Sequence, residues 1–167
     1  MSVATHREVE RKLRVHALFD VPDLRAVAAS VREVPTVRLT AIYHDTATLA
    51  LFRWGVTLRR REGGTDAGWH LKLPVAGADG SARDELRLPL DAGAVGSVPA
   101  ALVEIVAPLL RDQPLRPVVS LETDRTARLL ADAEGRELVE VVDDIVTVLR
   151  EGRTVSMFRE LEVEAVD

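Results

Sequence analysis

The sequence contains no cysteine, which excludes a disulfide framework, a thiolate metal site and a cysteine nucleophile. It also has no excess of basic residues, because 22 Lys and Arg stand against 27 Asp and Glu, for a net charge of −5. A nucleic-acid partner bound through a broadly basic surface is therefore not expected. A local basic site is still compatible with this balance.

Long apolar runs are missing as well. No run of 18 apolar residues occurs, and the N-terminus reaches charged residues without the apolar stretch of a secretory signal. These absences predict no membrane contact and indicate the cytoplasm. With 167 residues, 47% hydrophobic and 29% charged, the chain is typical of one soluble domain over residues 1–167.

The chain is rich in alternation between polar and apolar residues, beginning at its N-terminus. Successive side chains of a strand point to opposite faces. One face of the first strand is wholly polar and carries His6, Glu8, Glu10, Lys12, Arg14 and His16. A solvated edge strand could have such a face. The order of two acids followed by two bases, however, favours a strand that lines a site for an ion and its counter-ion.

Seven further strands and two helices are predicted. The strands are Thr36–Asp45, Val56–Arg61, Trp69–Leu73, Arg83–Leu90, Val118–Ala131, Arg136–Leu149 and Thr154–Val166. The spacing of Leu24, Val27, Ala28 and Val31 predicts a first helix capped by Asp20. A second helix is predicted from about Pro99 to Leu110.

Most of these strands have one apolar and one charged face. The apolar faces should point outwards to helices and loops, which leaves the charged faces towards each other. Eight strands suffice to close a barrel that holds side chains or one small ligand. We therefore expect an α+β protein: an eight-stranded antiparallel β-barrel with a polar interior and a few helices packed outside.

The candidate inward residues include as many acids as bases. The acids are Glu8, Glu10, Glu85, Glu140, Asp144, Glu160, Glu162 and Glu164, and the bases are Lys12, Arg14, Arg59, Arg61, Lys72, Arg83, Arg87 and Arg125. Charges confined together are costly unless they are paired, hydrated or bound to ions. Grouped carboxylates select hard cations such as Mg²⁺ or Mn²⁺, and guanidinium groups match phosphate oxygens. The lining thus indicates a metal and a chain of phosphates.

The ordered motifs resemble those of the CYTH superfamily, also called the triphosphate tunnel metalloenzymes. The matching elements are Glu8-x-Glu10-x-Lys12 (ExExK), Tyr43-His44-Asp45-Thr46 (YYDT), Arg59-x-Arg61, Lys72, Arg83-x-Glu85, Arg125, Asp144 and Glu160-x-Glu162-x-Glu164. The resemblance implies an eight-stranded tunnel that binds triphosphate-containing substrates and one or two divalent metals.

The resemblance also implies roles for individual residues. The metal-side acids are Glu8, Glu10, Asp144, Glu160 and Glu162. The triphosphate clamp is Lys12, Arg59, Arg61, Lys72, Arg83 and Arg125. Glu85 would orient the bases and, with Glu8, Glu10 and Lys12, belong to the catalytic group. Asp143 competes with Asp144, because a one-residue change of register swaps which of them faces inwards; the family pattern favours Asp144.

Our first hypothesis is metal-dependent hydrolysis of inorganic triphosphate or short polyphosphate. Adenylate cyclase and thiamine triphosphatase activities are alternatives on the same fold. Residues 158–164 resemble CYTH domains fused to a C-terminal CHAD domain, so a non-catalytic polyphosphate-binding module of a CYTH-CHAD protein is a further alternative. Whether a CHAD domain or the family's usual final helix follows is left open, as are the native substrate, the preferred metal and the oligomeric state.

Overall fold

The computed structural model describes residues 4–77 and 82–166. Within these ranges it contains two α-helices, α1 (Ala50–Arg53) and α2 (Ala100–Leu110), and two 3-10 helices, Leu24–Ala26 and Leu90–Ala92. The strands are β1 (Ala4–Val15), β2 (Ser30–Glu33), β3 (Val37–Asp45), β4 (Thr57–Glu62), β5 (Gly68–Pro74), β6 (Ala82–Leu88), β7 (Arg116–Ala131), β8 (Glu137–Arg150) and β9 (Arg153–Ala165).

Eight of the strands close into an antiparallel barrel. Neighbouring strands follow the order β7-β3-β4-β5-β6-β1-β9-β8, and β8 pairs back with β7. The remaining strand, β2, pairs with the end of β7 that includes Leu130 and Ala131. The predicted fold class is confirmed, and the barrel strands are the eight segments that alternation marks in the sequence.

The predicted first helix is wrong. The segment forms only the 3-10 helix Leu24–Ala26, with Asp23 as its N-cap, and then the strand β2. The apolar spacing does not produce a buried stripe here, since Val27 is 76% exposed. The end of β7 offers unpaired backbone groups, and β2 satisfies them by pairing with it. Tertiary pairing therefore outweighs the local helical pattern.

The second predicted helix is confirmed as α2, which packs against the outer face of the barrel. Its buried residues Leu102 and Val106 join one hydrophobic cluster with Leu58, Trp69 and Leu71 of the wall. These wall residues alternate with the inward-facing residues of β4 and β5. Apolar residues on the outer face of these two strands are thus covered.

The connection from β3 to β4 is fixed by one buried carboxylate. Asp45 accepts hydrogen bonds from the backbone amides of Thr46 at 2.6 Å, Leu51 at 2.9 Å and Phe52 at 3.0 Å. Charge-assisted bonds of this kind are strong when they are buried. They hold α1 at the end of β3 and so set where β4 begins.

The turn from β4 to β5 depends on glycine. Gly63 has φ +83°, and a Cβ atom there would lie 2.3 Å from the carbonyl oxygen of Arg38. Any other residue would force this turn away from β3. The turn carries Thr65 and Asp66 to one end of the barrel interior.

The longest helix in the described ranges, α2, has 11 residues. No described helix has both the length and the apolar character needed to cross a membrane.

Candidate active site in the barrel interior

A cavity of about 370 Å³ lies inside the barrel. Its charged lining residues are Glu8, Lys12, Arg59, Arg61, Asp66, Lys72, Glu85, Arg87, Arg125, Glu140, Glu162 and Glu164. Residues that pair directly across neighbouring strands share a face of the sheet. The registers Lys72 to Glu85, Lys12 to Glu162 and Arg125 to Asp144 therefore carry charged side chains inwards around the barrel.

The charge is not spread evenly over the interior. The inner face of β3 carries Leu39 and Ala41, and that of β8 carries Val142 and Val146, all of them buried. This apolar sector narrows the polar cavity, to which β8 still contributes Glu140. The alternation of β3 is correctly expected from the sequence, but its inner face is apolar rather than charged.

Three carboxylates meet where β1 lies beside β9. Glu8, Glu10 and Glu164, here named the β1 trio, each place one oxygen within 4.8 Å of the others. Burial and the nearby Glu8 carboxylate raise the pKa of Glu164 to about 7. This crowding of like charges would be relieved by a bound cation.

A second group of carboxylates meets where β8 lies beside β9. Asp144, Glu160 and Glu162, here named the β8 trio, satisfy the same 4.8 Å limit. Burial raises the pKa of Asp144 and of Glu160. Burial also acts on Glu162, but Lys12 and Arg125 outweigh it and lower the pKa of Glu162 to about 2.

The register of β8 separates the two neighbouring aspartates. Asp144 pairs with Arg125 and faces the interior. Asp143 lies on the outer face, where both of its oxygens accept 2.8 Å bonds from Arg159. Arg159 also donates to the carbonyl oxygens of Ala17 and Phe19, which anchors the chain after β1.

Arg59 and Arg61 bring positive charge to the interior from β4. The Nε atoms of both side chains are buried and have no hydrogen-bond partner among the described residues. Burial, with the neighbouring Arg59 and Arg125, lowers the pKa of Arg61 to about 9. Arg61 contacts the carboxylate of Asp66 from the β4–β5 turn, and Arg59 Nη1 donates to Tyr43 Oη at 3.3 Å. Within the described ranges, both side chains therefore keep an unused Nε donor.

Glu85 lies at the centre of a buried network. His70 Nδ1 lies 2.8 Å from Glu85 Oε1, and its Nε2 lies 2.9 Å from the carbonyl oxygen of Asp66. Arg87 pairs with the other oxygen of Glu85. Burial raises the pKa of Glu85, but its bond to His70 and the charge of Lys72 outweigh this effect and lower it to about 2. Glu85 is therefore an ionised anchor between basic groups.

The remaining predicted bases occupy different positions. Lys12 pairs with Glu162 and lies 3.4 Å from Glu10, so it sits between the two trios. Burial lowers the pKa of Lys12, but Glu162 and Glu10 outweigh it and raise the pKa overall. Arg83 of β6 pairs in register with Glu8 of β1, but Arg83 is not among the residues that line the cavity.

Several interior residues are absent from the predicted site set. Alternation places Glu164 and Arg87 among the candidate inward residues, but neither has a role in the predicted site. Tyr43 stands in the YYDT element, but alternation does not mark it as a site residue, because its neighbours on the inner face of β3 are apolar. Asp66 lies in a turn, where alternation does not apply, and only the folded structure brings it to Arg61.

The two trios suit a hard divalent cation, because each offers three carboxylate oxygens within a small volume. The unpartnered guanidinium donors suit an anion with several oxygens. Both groups belong to one barrel interior. The arrangement can therefore hold a metal ion beside a phosphate chain.

Known proteins resemble this chain in sequence and in fold. Uncharacterised proteins from two strains of Mycobacterium tuberculosis are each 46% identical to it over 151 residues, which is 89% of this chain and 29% of theirs. The chain therefore spans less than a third of the length of these relatives. A putative adenylate cyclase from Bacillus halodurans superposes with a TM-score of 0.61 at 17% identity, covering 98% of this chain and 82% of that one.

A plant protein from Hippeastrum, described as a putative adenylyl cyclase with a dominant triphosphatase activity, is 17% identical with a TM-score of 0.48 and covers 96% of this chain and 80% of that one. The CYTH domain family matches residues 6–167, nearly the whole sequence. On the strength of that match, the chain belongs to the CYTH domain family.

Proposed function

We propose that this chain hydrolyses triphosphate, with inorganic triphosphate or a short polyphosphate as substrate, in a reaction that depends on a divalent metal. One observation carries the proposal: carboxylate trios and under-partnered arginines line the same barrel interior. A neutral substrate would leave both sets of charge unsatisfied. A metal–triphosphate complex satisfies both at once.

The acids of the two trios are the proposed metal side. They are Glu8, Glu10, Asp144, Glu160 and Glu162, and Glu164 joins them through its place in the β1 trio. We propose Mg²⁺ or Mn²⁺, since both accept several carboxylate oxygens. When bound, such an ion would polarise phosphate oxygens and lower the pKa of a water molecule for attack on phosphorus.

The predicted bases are the proposed phosphate clamp, and all of them except Arg83 line the cavity. They are Lys12, Arg59, Arg61, Lys72, Arg83 and Arg125. Arg59 and Arg61 have donors to spare and would bind phosphate oxygens through charge-assisted hydrogen bonds. The clamp would stabilise the negative charge that develops on the leaving phosphate. No protein nucleophile is required.

Glu85 would act through the bases rather than on the phosphate. Its ionised carboxylate is bonded to His70 and Arg87 and lies 4.0 Å from Lys72. An anion fixed at this point would hold these basic side chains in position in the barrel interior. Lys12, placed between the trios, would contact the phosphate next to the metal.

The proposal is tested by measuring phosphate release from triphosphate, ATP and thiamine triphosphate, each with Mg²⁺, with Mn²⁺ and with EDTA. We expect metal-dependent release that is fastest with triphosphate and absent with EDTA. Tight triphosphate binding without phosphate release under any of these conditions would contradict the proposed hydrolysis and favour a polyphosphate-binding module.

One observation favours a nucleoside triphosphate as a second candidate substrate. A mostly apolar cavity of about 280 Å³, lined by Leu49, Phe52 and Val118, shares Tyr43 with the Arg59 end of the interior. Such a cavity could take the organic part of a substrate whose phosphates lie in the barrel. Phe52→Ala separates the candidates, because it should slow ATP hydrolysis and leave triphosphate hydrolysis unchanged.

A further inference from the structure

The interior cations fall into two classes according to what they contact. Arg59 and Arg61 have buried Nε atoms with no hydrogen-bond partner among the described residues. Lys72, Arg125 and Lys12, in contrast, are bonded directly to acids of the trios, and Lys12 lies between the two trios. The two classes cannot respond to a metal ion in the same way.

Lys72 is bonded to the β1 trio. Its Nζ donates to both carboxylate oxygens of Glu8, with a distance of 2.6 Å to Oε2. The two side chains are nearly inaccessible, with 10% and 6% of their surfaces exposed. A buried pair of this kind is only weakly screened by solvent, so the lysine neutralises Glu8 effectively.

Arg125 plays the same part in the β8 trio. Its Nε and Nη2 donate to the two oxygens of Asp144 at 2.9 Å and 2.6 Å. Nη2 also donates to Glu162 Oε2 at 2.9 Å. One guanidinium group therefore bridges two of the three acids of this trio.

These bonds use the oxygens that a metal ion would need. A divalent cation binding to the β1 trio competes with Lys72 for Glu8, and one binding to the β8 trio competes with Arg125 for Asp144 and Glu162. A base that loses its carboxylate is left buried and charged, which is costly unless another anion replaces it. Phosphate oxygens in the same interior are the available replacement.

We propose that Lys72 and Arg125 are internal counter-ions of the two trios, which a divalent cation displaces and which then bind the phosphate chain. The nature of the anion rests on the proposed function, whereas the displacement does not. Since each ligand completes the site for the other, metal and phosphate binding are positively coupled. By linkage, the coupling factor is the same whichever ligand binds first.

The proposal makes an unusual prediction about metal binding in the absence of phosphate. Removing a phosphate-clamp base should strengthen metal binding, because the competing counter-ion is gone. Lys72→Met and Arg125→Met each remove one counter-ion from a different trio. Arg87→Met is the matched control, since Arg87 pairs with Glu85 and touches neither trio.

The experiment titrates the full chain with Mn²⁺ alone, measured by calorimetry and by the electron paramagnetic resonance signal of free Mn²⁺. We expect Lys72→Met and Arg125→Met to bind Mn²⁺ about tenfold more tightly than the wild type, and Arg87→Met to stay within about twofold. Unchanged or weaker binding in both test variants would overturn the proposal. An equal gain in Arg87→Met would also overturn it, because the effect would then be general electrostatics.

Because no phosphate is present, this result is independent of whether the chain hydrolyses triphosphate. Thermal melts establish that each variant is folded; if Lys72→Met is not, Lys72→Gln and Arg125→Met carry the comparison. A second titration uses imidotriphosphate, an unhydrolysed analogue, with and without Mn²⁺. We expect the gain in analogue affinity caused by Mn²⁺ to shrink in Lys72→Met, and an undiminished gain would contradict the transfer of the lysine to phosphate.

Discussion

The barrel wall has two unlike halves. In the half formed by β4, β5 and β6, the outer face is covered by helices, and Leu58 and Leu71 are 1% and 0% exposed. In the half formed by β8, β9 and β1, no described helix covers the outer face, and Leu13 and Ile145 are 53% and 48% exposed. The first half carries Arg59 and Arg61 inwards, and the second carries both trios.

The difference concerns how each kind of charge is held in place. Arg59 and Arg61 keep Nε donors unpartnered by any described residue, and the packed core behind β4 fixes the backbone that carries them. The acids are instead held by bonds to bases on nearby strands, as in Asp144 of β8 with Arg125 of the adjacent strand β7. The half formed by β4, β5 and β6, here named the basic half, is therefore fixed by packing. The half formed by β8, β9 and β1, here named the acidic half, is fixed by its counter-ions. Each of the following predictions tests one side of this contrast.

The largest effect is expected in the acidic half, from Glu10→Gln. It removes a charge from the β1 trio and should lower triphosphate hydrolysis by about 10³-fold, or about 4 kcal/mol, through loss of the metal. Triphosphate binding measured without metal should persist, because Arg59 and Arg61 are untouched. Near wild-type turnover with Mg²⁺ would remove Glu10 from the metal side.

The next effect concerns the packing of the basic half. Leu71→Ala should lower the free energy of unfolding by about 3 kcal/mol, because it opens a cavity in the cluster below α2. Leu13→Ala, on the exposed outer face of the acidic half, should cost less than about 1 kcal/mol. Urea denaturation measures both, and equal losses would mean that the two halves are packed alike.

Arg59→Ala tests the phosphate contacts of the basic half. Loss of charge-assisted hydrogen bonds should weaken triphosphate binding by about 30-fold, or about 2 kcal/mol, with or without metal. Arg38→Ala is the control, since Arg38 lies on the outer face with 65% of its side chain exposed. Calorimetric titration with triphosphate measures both, and similar losses in the two variants would refute a specific clamp.

The smallest effect is a pH dependence of metal binding. The pKa of Glu164 is raised to about 7 by burial and Glu8, so a proton competes with the metal below pH 7 and not above it. Mn²⁺ affinity should therefore fall about fivefold as the pH drops from 7 to 6, and the slope should approach about tenfold per pH unit at lower pH. In Glu164→Gln, Mn²⁺ binding should be weaker, and this part of the pH dependence should disappear; an unchanged slope would exclude Glu164.

Alternation was sufficient to predict much of the barrel. The pattern of residues 6–16 and of the last three strands places Glu10, Lys12 and Glu162 on inward faces, as the registers have them. The failure at the segment after Asp20 has a physical cause: local spacing is compatible with a helix, but β7 extends beyond β3 and takes β2 as a partner on that edge. Such an edge is not visible in local sequence.

The sequence by itself determined which side chains share a strand face, because a period of two follows from backbone geometry. It therefore specified the charged lining and most of the proposed site residues. Only the tertiary structure decided which charges meet: that Glu164 joins Glu8, that Arg125 bridges Asp144 and Glu162, and that Asp66 reaches Arg61. Barrel closure and strand register set the first two of these contacts, which join residues well apart in the chain, and the conformation of the β4–β5 turn sets the third.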